Sequence, residues 1–187
     1  MRGSKVIIRE KRLSDADNDY TWRSDPDLSC LDAAPPLRLS RREYLAFSSD
    51  EMRHPFKQRQ RFAIESLDGR HIGNCMYYDI DEKTRQAELG IMIGEREYWG
   101  KGYGADAVRT LVEHIFRDTV LDRVYLKTLE WNTRAQRCFR KCGFVECGRV
   151  HKTGHDFIIM ELHRSWFESN RARNDESGSR APSRTSA

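Results

Sequence analysis

The stretch from Ala87 to Val108, AELGIMIGEREYWGKGYGADAV, fixes a strand, a loop and a helix in that order. Leu89, Ile91, Met92 and Ile93 form an apolar, strand-like run. Gly100, Gly102 and Gly104 follow a short polar loop. Val108, Leu111, Val112, Ile115 and Phe116 then fall at i, i+3, i+4, i+7 and i+8, the stripe of a helix buried on one face. Glycines between a strand and a helix let backbone approach a ligand closely, and the next helix offers free N–H groups and a positive dipole end. That is a cradle for a pyrophosphate.

Two familiar cradles do not fit. A Walker loop needs Ser or Thr after Gly-Lys to hold magnesium, and Gly102 follows Lys101. A dinucleotide fingerprint needs G-x-G-x-x-G early in a βαβ unit with an acid about 20 residues on; here the spacing is G-x-G-x-G, in mid-chain. A second element lies further along: Asn132, Thr133, Arg134, Ala135, then Phe139, Lys141, Gly143 and Phe144. Trp99-Gly100-Lys101-Gly102-Tyr103-Gly104 resembles the Gln/Arg-x-x-Gly-x-Gly/Ala loop of the GNAT superfamily of N-acetyltransferases, with Trp99 in place of the usual Gln or Arg. The second element is similar to that family's N-x-R-A-x-x-x-Y-x-K-x-G-F helix, in the family's order. The resemblance spans about residues 5–165 and is nearest the branch of ribosomal-protein N-terminal and spermidine acetyltransferases.

The resemblance implies acetyl-CoA as acetyl donor, with no metal. It places the pyrophosphate on the backbone of Gly100, Lys101, Gly102, Tyr103, Gly104 and Ala105, beside Trp99. Backbone groups of Met92, Ile93 and Gly94 would hold the pantetheine arm, while Asn132 and Phe139 complete the cofactor side. Lys101 reads equally as a phosphate partner or a solvated loop lysine. Gly90, inside the strand, marks a weak point or a bulge; the resemblance makes it a bulge that splays two parallel strands.

The order of elements gives an α/β fold: one mixed, mostly antiparallel sheet of about six to seven strands, a central parallel pair and flanking helices. Strands are expected from Val6 to Arg12, in a hairpin (Arg61–Ser66 and His71–Tyr78) about Asp68-Gly69, from Arg85 to Ile93, from Arg123 to Leu129, and in a closing pair. The strands at Arg85 and Arg123 are joined by a helix and so should be parallel, with the ligand beyond their carboxyl ends. Ser14 with Asp17 offers a helix cap, residues 24–39 read as loop, and Ser40 and Asn132 cap further helices. Residues 1–169 form the expected domain and 170–187 a disordered basic tail, whose Arg, Ser and Asn cannot bury apolar surface.

Of the formal charge of +4, two charges belong to that tail, so the body is near balance and no nucleic-acid surface is expected. No apolar run approaches a membrane span and no signal-peptide core begins the chain, which reads as soluble and cytoplasmic. Five cysteines without C-x-x-C spacing read as reduced thiols, Cys138 and Cys142 lining the core face of their helix. His151 and His155 read as surface residues, and a homodimer is left open.

Glu88 stands in an otherwise apolar run. It either faces solvent or pairs with Arg85, or it is the general base, a role the resemblance supports. Phe139 departs from the family's tyrosine, whose hydroxyl would protonate the leaving thiolate; Tyr98, Tyr103 and Cys138 are replacements, or the acid is absent. The expected function is acetyl transfer to a primary amine, including a protein or peptide N-terminus, with a polyamine or other small amine as alternatives. A weakly catalytic acetyl-CoA-binding sensor or partner module is the other class. From Arg23 to Arg61 the chain carries eight Arg and Lys against six acids, which fits a peptide end with acidic residues, a carboxylate-bearing small amine or a solvated helix better than a polycation.

Overall fold

The computed structural model describes residues 1–169; the expected tail lies outside the described residues. Seven strands form one sheet: β1 (Val6–Glu10), β2 (Arg59–Ser66), β3 (His71–Asp81), β4 (Gln86–Ile93), β5 (Arg123–Leu129), β6 (Val145–Lys152) and β7 (His155–His163). They lie in the order β1-β2-β3-β4-β5-β7-β6, and every pairing is antiparallel except β4 with β5. The helices are α1 (Ala16–Ser24), α2 (Pro26–Leu31), α3 (Arg41–Arg53), α4 (Tyr103–Asp118) and α5 (Thr133–Lys141).

Strand alternation divides the sheet into two faces. One carries Ile64, Cys75, Leu89, Val124, Leu126 and Met160, all buried against the apolar stripe of α4. The other carries Arg59, Tyr78, Glu88 and Tyr125, which stand in register on four neighbouring strands. Helices α1 and α3 cover part of this second face: Asp19 accepts from the Asn74 amide at 2.6 Å, and Glu51 pairs with Arg59 at 3.2 Å.

Several expectations need correction. Residues 24–39 contain α2, because Pro26 sits at the first helical turn and Asp25 caps it, accepting from the N–H groups of Asp27 and Leu28 at 2.9 and 3.1 Å. Ser14 is not the cap expected before α1. It lies inside a 3-10 turn (Leu13–Asp15), where the Arg12 N–H donates to the Asp15 carboxylate at 2.7 Å. Gly90 makes no bulge against β3: the register runs evenly through its pairing with Met76 and shifts instead between Tyr78 and Asp81. Ser40 and Asn132 cap α3 and α5 as expected, accepting from Glu43 and Ala135 N–H groups at 3.3 and 3.1 Å. Among the described residues no helix is long and apolar enough to cross a membrane.

Candidate active site

The register between β4 and β5 is short. Gln86, Ala87 and Glu88 face Arg123, Val124 and Tyr125, and then the strands part. The N–H of Gly94 donates to the Ile72 carbonyl of β3 at 3.0 Å. Backbone groups alternate in direction along a strand, so those of Gly94 and Met92 face β3 while those of Ile91 and Ile93 face the gap towards β5. The Ile93 carbonyl there accepts the Trp99 indole N–H at 2.7 Å. Gly94 lies behind the gap, against α1: a Cβ on it would stand 2.1 Å from the Trp22 ring.

A cleft of about 380 Å³ opens from this gap, lined by Ile91, Met92 and Ile93, by Gly100, Gly102, Gly104 and Ala105, and by α5. Gly100 and Gly102 have φ of 73° and 87°, and Gly102 is the left-handed residue that starts α4. The N–H groups of Gly100, Lys101 and Gly102 donate to no backbone carbonyl outside the regular elements, and those of Tyr103, Gly104 and Ala105 open the helix. Arg134, Arg137 and Lys141 line the same cleft from one stripe of α5. Free N–H groups, a helix start and three cations are what a diphosphate requires. The one acid in that helical turn, Asp106, points away and accepts from Ser4 Oγ and from the N–H groups of Lys5 and Val6 at 2.7–3.1 Å, tying β1 to α4.

Trp99 lies under the Arg134 guanidinium, 3.7 Å from its ring centre. Lys101 is exposed, and Tyr103 turns edge-on to Tyr98 and towards Lys5 instead of lining the cleft. Asn132, capping α5, lines both this cleft and a larger cavity of about 720 Å³ on the second face of the sheet. Phe139, 7% exposed, lines both as well and packs against Phe144. Cys138, expected on the core face, lines the first cleft instead, 3.7 Å from where a Gly104 Cβ would be; Cys142 is the buried member of the pair. A hydrogen bond with Cys142 brings the Cys138 thiol below its ordinary range.

Glu88 lines the larger cavity at the rung where β4 and β5 part. It does not pair with Arg85, whose guanidinium goes to Asp122 at 2.8 Å. It is 5% exposed and holds the Lys127 ammonium, which also lies 5.4 Å from the Tyr125 ring centre. Tyr78, one strand over, stands in register with Glu88, and burial beside that carboxylate pushes its phenol well above its ordinary range.

Residues 5–145 match the model of the GNAT acetyltransferase domain. The chain belongs to the GNAT family of acetyltransferases. An N-acetyltransferase called p20 from Bacillus licheniformis, itself uncharacterised, is 27% identical over 146 residues, 77% of this chain and 81% of that protein. The aminoglycoside N(6')-acetyltransferase type 1 of Klebsiella pneumoniae is 30% identical over 119 residues, 58% of this chain and 59% of that one. The fold matches the spermidine N-acetyltransferase of Vibrio cholerae, solved with CoA and spermine, with a TM-score of 0.78 at 22% identity, over 88% of this chain and 99% of that one.

This acetyltransferase therefore uses acetyl-CoA, which supplies the acetyl group as a thioester. Sequence reasoning quoted Arg134 and Lys141 in the motif helix without giving them a role, and passed over Arg137, Lys127 and Tyr78. Arg137 and Lys141 were legible as the i+3 and i+7 positions from Arg134 on one helical stripe. Lys127 and Tyr78 gave no signal, because strand register alone brings them to Glu88.

Proposed function

We propose that the cavity on the second face of the sheet receives a primary amine, that Glu88 takes the proton the amine must lose, and that the acetyl donor approaches through the gap between β4 and β5. The observation that carries this reading is the position of Glu88: a buried carboxylate where the parallel strands separate, in the cavity that shares Asn132 and Phe139 with the cofactor cleft. An α-amine, with pKa ~7.7–8.0, is roughly a tenth neutral at pH 7, so a modest base suffices; a lysine amine near ~10.4 needs far more help. Peptide N-termini and small amines of low basicity are the acceptors this favours.

Relatives named for aminoglycoside and polyamine acetylation suggest a polycation. Charge pairing in the cavity argues otherwise. Asp19 is held by Lys11 at 2.7 Å, Asp32 by Arg23 at 2.9 Å, Glu51 by Arg59 and Arg61, and Glu88 by Lys127. Asp79 is the one lining acid without an ion pair among the described residues. A polycation would have to displace these internal cations.

Phe139 supports a second reading, a slow acetyl-CoA binder, since no hydroxyl stands at that position. Tyr98 and Cys138, both lining the cofactor cleft, offer replacement protons, and a thiol near pKa ~8.5 leaves tolerably without one. Thiol release from acetyl-CoA against α-amines, lysine side chains, polyamines and aminoglycosides separates these readings. Turnover of α-amines above the rest supports the proposal, and turnover of none supports the binder.

A further inference from the structure

The charges at the end of the larger cavity away from Lys127 are not balanced. Arg59 and Arg61 alternate on β2 and project to the same face, where they share a single carboxylate, that of Glu51 on α3. Glu51 is only 10% exposed in its side chain, while Arg59 and Arg61 retain 43% and 34%. Lys11 adds a third positive charge, close enough to Arg61 to be lowered by it, but burial is the larger cause of that lowering and Asp19 absorbs the charge. The net result is one unmatched guanidinium facing the cavity. Leu37, Leu39, Tyr44 and Phe47, which line the same cavity, are apolar or uncharged and do not supply the missing partner.

We propose that Arg59 and Arg61 form an anion subsite of the acceptor cavity, and that the acceptor is an amine carrying a carboxylate at about the spacing of a dipeptide. This rests on the reading of the cavity as the acceptor site. The distance follows from the sheet itself. Arg59 pairs with Tyr78 and Tyr78 with Glu88, so Arg59 and Glu88 are two strands apart on one face. Strand spacing sets their Cα atoms about 10 Å apart, so one acceptor would hold its amine and its carboxylate well separated along the cavity. Two residues, at ~3.3–3.6 Å each, cover about 7 Å of that separation, about twice what a single α-amino acid covers. A planar guanidinium pair holds a carboxylate in two-pronged fashion, which a carboxamide cannot reproduce. The apolar residues of the cavity lining would receive the second side chain.

The test is a matched pair of acceptors, glycyl-leucine and glycyl-leucinamide, with free leucine as the short control. Calorimetric titration of the CoA-saturated protein should bind the dipeptide at least tenfold more tightly than its amide, and leucine weakly. Arg61→Gln and the Arg59→Gln/Arg61→Gln double variant should bring the affinity for the dipeptide down to that for the amide, while Arg61→Lys should recover part of the preference. Equal affinities for acid and amide, or a preference that survives both substitutions, would overturn the subsite. Steady-state thiol release reads the underlying reaction separately. If the dipeptide binds with the expected preference and is never acetylated, the transferase reading fails and the anion subsite stands. If both peptides are acetylated at equal kcat/KM, the reverse holds.

Discussion

Lys127 sets its ammonium on the Glu88 carboxylate across the only parallel pair in the sheet, two residues beyond the last rung that joins β4 to β5. Each has a stake in the other. Glu88 is buried, and an unpaired carboxylate there would be costly. The same contact holds the carboxylate at the rung where β4 and β5 part.

Two substitutions should separate those roles. Glu88→Gln should leave acetyl-CoA affinity unchanged and lower kcat by ~10²–10⁴-fold, the span of a general base, with the loss shrinking as pH rises and more amine is neutral. Lys127→Met should lower stability by ~1–3 kcal/mol in urea unfolding, since it strands a buried charge, and Glu88→Gln should largely relieve that loss in the double variant. Additive destabilisation would show that the pair is not coupled.

Phe139→Tyr adds a hydroxyl where the first cleft and the larger cavity meet. With the acid position vacant, kcat should rise by up to ~10²-fold and KM should hardly change. A rate that falls would indicate that Tyr98 or Cys138 already supplies the proton and that the new hydroxyl obstructs it.

Gly102→Val places a β-branched residue at φ 87°, where L side chains are strained, in the loop read as the diphosphate cradle. CoA affinity should fall at least tenfold by calorimetry. Circular dichroism and melting should report a folded chain, since the nearest atom to a Cβ there is Lys5 Cε at 3.6 Å. Unchanged affinity in a folded Gly102→Val protein would remove the loop from the site.

Asp15 should give the protein a marked acid sensitivity. Burial raises its carboxyl, but the Arg9 guanidinium, at 2.7 Å, and the Arg12 N–H outweigh burial and bring it to about 2. A depressed folded value means the stabilisation is full above the unfolded value near ~3.9 and is lost as pH falls towards 2. The difference in unfolding free energy between the unsubstituted chain and Asp15→Asn should be on the order of 2 kcal/mol at pH 6 and should close between pH 4 and 2. A gap that stays constant over that range would rule out the linkage.

A chain ending at Ser169 should bind acetyl-CoA as tightly as the full chain, because the residues beyond lack the apolar content to pack against the domain. Weaker binding by the shortened chain would assign the tail a part in the site.

The sequence by itself determined the elements whose signals are local. The glycine loop, the apolar stripe of α4, the caps at Ser40 and Asn132 and the Asp68-Gly69 turn each depend on neighbours a few residues away, where dihedral preferences and helical spacing act. They were enough to give the mixed sheet and its parallel pair. Even there Asp25-Pro26 was passed over, because prolines in a polar stretch read as a loop until the cap geometry is seen. What only the tertiary structure decided was which charges meet. Arg59 and Glu88 are 29 positions apart in sequence and Glu88 and Lys127 are 39 apart, yet strand register sets each pair on one face. A one-residue slip would turn any of these side chains to the opposite face. The electrostatics of the larger cavity therefore follow from hydrogen-bonded register between distant strands, which local preference does not encode.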